Sequence, residues 1–456
     1  MWVVDGSIWI VIASREQSKR YGPGSLVVDG TDVTVARKAQ FAFRPSRKQE
    51  AQLQELLSIS CEVYNAALQE RRDAYRMASK TLSWQDQFNE VKDLRGVRDD
   101  ALAFGIQPVR GAIKRCDEAM SAFFRRVKAG QTPGYPRFRS RRRYNTAFWD
   151  EPTSWAVNAE TRSLRLQGIG VIGLPKSAAH QLGRMLERGG VPKTLTVTRR
   201  QAGTGWAWRA TVGFTGVAVD ATPAVSSITG VDRGVVVAAA TSAGDLHRMP
   251  KYRRALRTDI ADLERAQARK RKRSRAWKQL GTRIARERRA AANRVDNWAW
   301  HTAKAIVEKT HVVALEDLRL VAMTKSAKGT MENPGTNVSA KKGLNRELQD
   351  AALGLLGVRI CVKAESAGRR IWAVNPRDTS RTCSVCNHID PDNRVDQATF
   401  HCTACGHGAH ADVNAAINIA ALGRRCEDAW VAAGAPPLTR KKSPRTRRKT
   451  TVAPST

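Results

Sequence analysis

Four cysteines stand in two pairs, Cys383-Ser-Val-Cys386 and, fifteen residues later, Cys402-Thr-Ala-Cys405. A Cys-x-x-Cys turn aims two thiolates at one tetrahedral ion, and a second such turn completes the shell. The spacing therefore reads as a structural Zn²⁺ site with no open position for catalysis. Two redox-active pairs are the competing chemistry, although neither pair follows a thioredoxin-type strand. His388, His401, His407 and His410 flank the cysteines and could replace a ligand, but four thiolates need none. Cys61, Cys116, Cys361 and Cys426 read as ordinary core or surface thiols. A second set of residues is dispersed. Asp232 ends one apolar run, Glu316 ends another, and Asp412 opens a helix of small residues. Taken singly, each reads as a cap or an exposed acid, because an unpaired buried carboxylate is costly. Taken together, in a chain this basic, they suggest a carboxylate cluster that holds two Mg²⁺ for phosphodiester hydrolysis.

The elements that must position these residues follow from composition and periodicity. The chain has 456 residues, with 78 Lys+Arg against 42 Asp+Glu and a net charge of +36. That imbalance points at polyanionic partners. An apolar content of 42% rules out wholesale disorder. The apolar run Trp2 to Ala13 is broken by Asp5 and Gly6 and is far shorter than the ~20 residues of a membrane span. With no charged n-region before it and cysteines in Cys-x-x-Cys pairs, the expectation is a cell interior, near nucleic acid, and no membrane. Residues 34 to 44 alternate as a strand, Ser46 is placed to cap a helix from Lys48, and further helices are expected at 85 to 95 and 107 to 128. Gly130 to Tyr144 is a basic loop with aromatics, and strands return at 162 to 174, 194 to 199 and 206 to 214.

This pattern describes a multidomain α/β protein. A β-barrel-like (wedge) module at 34–45 and 131–218 is split by a helical insert at 46–130. A third domain begins near 224 with two β-rich runs joined at Asp232-Arg233-Gly234. It continues through a helical tract at 251–308 containing the basic run Arg269 to Arg275, a buried strand at 311–316, a loop at 322–343, a helix at 344–366, a strand at 370–375, the cysteine module at 383–405 and a short helix at 412–422. Residues 426–456 read as a basic tail, disordered when free, and no internal repeat is apparent. Trp277, Trp298 and Trp300 are core residues or base-stacking platforms, and Arg269 to Arg275 is a solvated face or a phosphate contact.

The residues around the acids resemble the TnpB (OrfB) proteins of insertion sequences and the compact type V CRISPR effectors related to them. The likeness is carried by Gly230-Val-Asp-Arg-Gly234, Val313-Ala-Leu-Glu-Asp-Leu318, Asn375-Pro-Arg-Asp-Thr-Ser-Arg-Thr-Cys-Ser-Val-Cys386, Phe400-His-Cys-Thr-Ala-Cys-Gly406 and Ala411-Asp-Val-Asn-Ala-Ala416, in the family's order. Weaker matches at Phe41-Ala-Phe-Arg-Pro45, Val63-Tyr-Asn-Ala-Ala67 and Gly134-Tyr-Pro-Arg-Phe-Arg139 extend it over about 35 to 425. The resemblance implies an RNA-guided nuclease with a RuvC-like, RNase H-type domain at 224–382 and 406–425 and an inserted zinc ribbon at 383–405. Asp232, Glu316 and Asp412 would be its Mg²⁺-binding acids and Cys383, Cys386, Cys402 and Cys405 its Zn²⁺ ligands. Asp317 rivals Glu316, with a role as cap of the following turn as the alternative. Arg233 stands where many members carry an apolar residue, and either competes for the Asp232 carboxylate or points outward. Residues 1–33 precede the family's usual start and read as an N-terminal extension.

By the same resemblance the partners are a guide RNA and double- and single-stranded target DNA, cut beside a short flanking motif in a prokaryotic, nucleoid-associated cytoplasmic setting. The guide would bind the β module, and the helical insert would cradle the heteroduplex. A transposon-encoded nuclease and a CRISPR effector using array-derived RNA share this chemistry. The reading from another class is a non-cleaving repressor, guide-dependent or a plain zinc-ribbon DNA binder; a strand-joining transposase has no support in these residues. Monomer and dimer are equally open.

Overall fold

The computed structural model describes residues 34–433 apart from 95–96, 203–204, 220–226 and 331, together with two short strands near the N-terminus. Those strands, β1 (Trp2–Val4) and β2 (Ser7–Trp9), pair antiparallel. The rest of the expected extension 1–33, and the basic run Arg440 to Lys449, lie outside the described residues. The class is mixed α/β, and the chain divides into two compact units, Thr34–Ala218 and Val219 onward.

The first unit begins with β3 (Thr34–Phe43). Helix α1 (Arg47–Ala78) starts where expected, because Ser46 and Gln49 form a reciprocal capping box. It stops at Ser79, which turns left-handed with φ 50°. Helices α2 (Trp84–Glu90), α3 (Asp99–Leu102) and α4 (Ile106–Lys128) follow. Then come β4 (Thr146–Trp149), β5 (Trp155–Asn158), β6 (Ser163–Leu166), β7 (Gly170–Gly173), α5 (Lys176–Glu187), β8 (Val191–Ala202) and β9 (Gly205–Ala218). The run 162–174 is thus a hairpin rather than one strand, turned at Gly168 and Gly170, whose φ angles are positive. The strands build a sheet of order β3-β9-β8-β4 and a smaller one of order β5-β6-β7. Leu53, Leu57 and Leu68 of α1 and Val109 and Ile113 of α4 share one apolar core with Phe41, Trp149, Leu164 and Val197 of the strands.

The second unit is built on a five-stranded sheet of order β12-β11-β10-β13-β14. Its strands are β10 (Ile228–Asp232), β11 (Ala239–Thr241), β12 (Leu246–His247), β13 (Val312–Glu316) and β14 (Arg370–Val374). Between β12 and β13 run α6 (Tyr252–Ala255), α7 (Arg257–Ala268) and α8 (Arg275–Glu308). The expected tract 251–308 is therefore three helices, and its basic run falls at the turn between α7 and α8. Trp298 of α8 packs against the core, while Trp300 on the same helix is covered by Arg359 at 4.5 Å and Lys363 at 5.6 Å.

After β13 come α9 (Leu320–Met323), α10 (Val338–Ala351) and α11 (Leu353–Ser366). The helix expected over 344–366 starts earlier and is broken at Ala352, whose φ of 51° ends α10 and opens α11. The loop 322–343 is correspondingly shorter, and Lys341 Nζ and Asn345 Nδ2 tie it back to Met323 O and Thr324 O at 2.6 and 3.0 Å. Strands β15 (Thr399–His401) and β16 (Gly408–His410) pair within the cysteine module, and α12 (Ala411–Ala432) closes the described chain. Helix α12 overturns the short helix 412–422 and the tail beginning at 426, because Ile419, Cys426 and Trp430 keep an apolar face against the sheet well past Leu422.

Strand β13 is buried at every position, as a strand flanked by two parallel neighbours, β10 and β14, and covered on both faces must be. Its residues alternate between two cores. Val313 and Leu315 face Ala299, Ala303 and Ile306 of α8 and Leu356 and Ile360 of α11. Val312 and Ala314 face Ile419 and Cys426 of α12. Gly230 lets α12 lie directly on β10: a Cβ there would stand 2.0 Å from Ala416 O.

Candidate functional site

Strands β10, β13 and β14 run parallel, so their carboxyl ends share one edge of the sheet. Asp232 is the last residue of β10 and Glu316 the last of β13. Helix α12 begins at the same edge, and Asp412 is its second residue. The carboxyl edge of parallel strands is where an open α/β sheet presents side chains to a ligand. Glu316 and Asp412 are buried, and Asp232 is partly so.

The electrostatics couple Asp232 to the other two acids. Burial first, then the charges of Glu316 and Asp412, push the Asp232 carboxyl up to about 7, with Arg394 acting in the opposite direction. Burial also raises Glu316, against the Thr379 hydroxyl that donates to Glu316 Oε1 at 2.6 Å and the nearby Arg233 charge. Asp412 Oδ1 accepts from Arg394 Nη2 at 3.0 Å. Burial holds Asp232 and Glu316 against ionisation, and with Asp412 they offer oxygen donors of the hard, anionic kind that suits Mg²⁺.

Arg233 neither competes for Asp232 nor points outward. Its guanidinium turns inward, donating to Glu316 O at 2.6 Å and to Leu353 O at 3.3 Å, so it ties the end of β13 to the break between α10 and α11. Asp317 is half-buried, and among the described residues its carboxylate makes no hydrogen bond. Helix α9, which follows, is capped at Arg319 without a side-chain bond, so Asp317 does not cap that turn.

The four thiols converge as their spacing predicts. Cys383 Sγ lies 3.7 Å from Cys405 Sγ, and Cys386 Sγ lies 3.5 Å from Cys402 Sγ. These separations approach the about 3.8 Å edge of a tetrahedral shell with 2.3 Å metal–sulfur bonds. Among the described residues this is the one set of three or more Cys, His, Asp or Glu donors lying within 4.8 Å of one another. The Cys405 amide is the first cause of a Cys402 thiol lowered to about 6. Two copies of one turn build the cluster. Cys383 N donates to His388 O and Cys402 N to His407 O, both at 2.9 Å, and the residue after each pair, Asn387 or Gly406, is left-handed. The flanking histidines thus contribute backbone carbonyls. The short Cys-x-x-Cys-[Asn/Gly]-His repeat is the internal duplication that periodicity alone does not reveal. Cys61, Cys116 and Cys426 are buried and Cys361 half-buried, consistent with ordinary thiols.

Residues 35–80 match the family model HTH_OrfB_IS605, described as a helix-turn-helix domain, and residues 356–419 match the Cas12f1-like TNB domain. The first match covers a strand and a single long helix here, β3 and α1. The Escherichia coli (strain K12) protein named RNA-guided DNA endonuclease InsQ is 28% identical across 84% of this chain and 91% of its own length. A Streptomyces pristinaespiralis protein named RNA-guided DNA endonuclease is 25% identical across 85% and 90%. The CRISPR-associated endodeoxyribonuclease Cas12f1 of Sulfoacidibacillus thermotolerans is 47% identical over 76 residues, 17% of this chain and 18% of its own. Over most of its length the chain is similar to proteins of the TnpB (OrfB) kind. Its fold also matches the cryo-EM structure of a Cas12f1-sgRNA-target DNA complex, with a TM-score of 0.54 at 15% identity, across 82% of this chain and 83% of that one. Among the described residues no helix is long and apolar enough to cross a membrane.

Several residues around the acids take contacts that the sequence motifs do not by themselves assign. Thr379 and Arg394 hold Glu316 and Asp412, and His410 Nδ1 accepts the Asp412 amide at 3.2 Å, capping α12. Asn414 and Asn418, one turn apart on α12, bond to Ser384 N, Thr382 O and Thr379 O at 2.7–3.0 Å. An Asn-x-x-x-Asn pair on an alanine-rich helix was the available signal for the last two. Arg394, a lone arginine between the cysteine pairs, carries no local signal at all.

Proposed function

We propose that this protein is an RNA-guided DNA endonuclease encoded by a transposon, cutting target DNA beside a short flanking motif by Mg²⁺-dependent hydrolysis at a RuvC-like site. The observation that carries the reading is the meeting of Asp232, Glu316 and Asp412 at one sheet edge, where Asp232 is pushed up to about 7 by burial and by the other two. A half-buried Asp232 facing the charges of Glu316 and Asp412 is unfavourable in the metal-free chain and becomes favourable once a divalent charge lies among them. In this reading Asp232, Glu316 and Asp412 would hold two Mg²⁺, whose charge would favour an ionised water and a departing 3′ oxygen. The chain's part is to set the acids. Arg233 holds the backbone that carries Glu316, Thr379 orients its carboxylate, and α12, pressed onto Gly230, delivers Asp412.

Residues 383–405 form a zinc ribbon in this reading. Its four thiolates hold Zn²⁺ as a structural ion, and its Arg394 reaches across to Asp412. The β-rich and helical parts of 34–218 take the guide RNA and the target heteroduplex, and the charge of +36 supplies the phosphate affinity.

The test is to express the chain with its native flanking DNA, sequence the RNA that co-purifies and challenge the complex with guide-matched DNA and Mg²⁺. A discrete RNA and guide-matched cuts are expected, and the RNA's origin separates transposon from CRISPR use. Asp232→Ala, Glu316→Ala and Asp412→Ala should each lower cutting by at least about 10²–10³-fold while sparing RNA binding. A discrete RNA with binding and no cutting would favour the guide-dependent repressor instead.

A further inference from the structure

Residues 131–140 carry no helix or strand, yet their backbone is anchored on either side of Tyr135 to Phe138, at Gly134 and at Arg139. Asn65 of α1 closes a two-way amide pair with Arg139: Oδ1 accepts from Arg139 N and Nδ2 donates to Arg139 O, each at 2.8 Å. Cys61 Sγ donates to the same carbonyl at 3.2 Å. At the entrance, Arg126 Nη2 donates to Gly134 O at 3.2 Å, and at the exit, Arg199 Nη2 donates to Arg141 O at 2.7 Å. A segment held in this way has little conformational freedom left to lose on binding.

What the segment presents outward exceeds what a structural strap needs. Tyr135 is 42% and Phe138 46% exposed. Tyr135 stands edge-on to Phe123 with ring centres 5.2 Å apart, and one face of Phe138 is backed by the Arg72 guanidinium at 5.3 Å. Arg137, Arg139, Arg142 and Arg143 are exposed, and among the described residues none of them has an acidic partner, whereas Arg141 between them is paired with Glu62 at 2.6 Å. Exposed aromatic rings interleaved with uncompensated guanidinium groups match a partner that offers bases to stack and phosphates to hold. A stacking platform needs an unpaired base. Folded RNA displays such bases in loops and bulges at rest, whereas duplex DNA does so only after it is opened.

We propose that residues 134–143 are a preorganised seat for an unpaired stretch of the guide RNA, with Tyr135 and Phe138 stacking bases and Arg137, Arg139, Arg142 and Arg143 holding phosphates. The inference rests on the reading of the chain as RNA-guided.

The test uses the full chain with the RNA that it carries. Ultraviolet crosslinking should join Tyr135 or Phe138 to unpaired nucleotides of that RNA. On rebinding the same RNA, Phe138→Ala should weaken affinity by about 5- to 100-fold without changing its salt dependence. Arg137→Gln with Arg139→Gln should reduce the slope of log affinity against log salt by about 1.4, the loss of two single-strand phosphate contacts. Phe138→Trp keeps the platform and should restore affinity, which separates stacking from any packing defect in the alanine variant. Crosslinks to added target DNA alone, or affinities and salt slopes equal to wild type in every variant, would overturn the proposal while leaving guided cutting intact. Wild-type protein carrying no discrete RNA would overturn it together with the reading on which it rests.

Discussion

The two candidate metal sites of the second unit are built in opposite ways. The four thiols come from one short stretch, Cys383 to Cys405, and each pair is held by its own turn through hydrogen bonds within a few residues. The three acids come from positions as far apart as 232 and 412, and their proximity depends on two parallel strands, a helix lying across them and an arginine from the cysteine module. A site made from local turns survives as long as its turns do. A site assembled across the fold fails whenever any of its supports moves.

That contrast can be tested, and the largest effect should come from the thiol site. Chelating the bound ion, or Cys383→Ser, should unfold the cysteine module, because a structural Zn²⁺ contributes about 10–16 kcal/mol in isolated finger peptides. Loss of the module should also abolish cutting, since Arg394 bonds Asp412 and Thr379, just ahead of the module, bonds Glu316. Calorimetry with and without chelator checks this, and a stable, active Cys383→Ser protein would remove zinc from the account. Next, Gly230→Ala should destabilise the second unit by at least about 1–3 kcal/mol, the scale of an overpacked core. Its new Cβ would meet Ala416 O at 2.0 Å, so α12 must shift and carry Asp412 with it. Cutting should fall more than stability does, as parallel melting and cleavage measurements would reveal.

Arg394→Ala should cost about 1–3 kcal/mol in the metal-free chain by leaving the buried Asp412 unpaired, a figure reduced because Arg394 is partly exposed. Mg²⁺ should recover much of that loss, and an identical melting deficit with and without Mg²⁺ would separate Asp412 from the metal site. The smallest effect concerns pH. Burial raises Asp232 from 3.8 to about 7, so folding favours its protonated form. That stabilisation is complete below about pH 4 and is lost as pH rises through about 7. Relative to Asp232→Asn, the metal-free wild type should therefore lose melting temperature between pH 5 and 8, and Mg²⁺ should flatten the difference.

The ease of reading the sequence followed the same division. Strand β13 declared itself as an unbroken apolar run, and α1 through its Ser46 cap and leucine spacing, because these signals lie within one element. The break at Ala352 and the full length of α12 were not legible. Alanine gives no warning of a left-handed φ, and the last turns of α12 depend on apolar contacts with a sheet whose strands lie earlier in the chain. The proposal of the acids as ligands rests on the residues flanking them, since a lone Asp at the end of an apolar run has no local property that separates a ligand from a cap.

By itself, then, the sequence determined the four-thiol cluster and the strongly basic character of the chain, because residue types and short spacings carry that information directly. Tertiary structure alone decided that Arg233 serves two backbone carbonyls instead of competing for Asp232. It alone joined Arg394 to Asp412 and made residues 131–140 a pinned strap through Asn65. Each of these contacts links residues from 18 to 120 positions apart. No periodicity spans such separations, and only the packing of the intervening elements brings the partners within bonding distance.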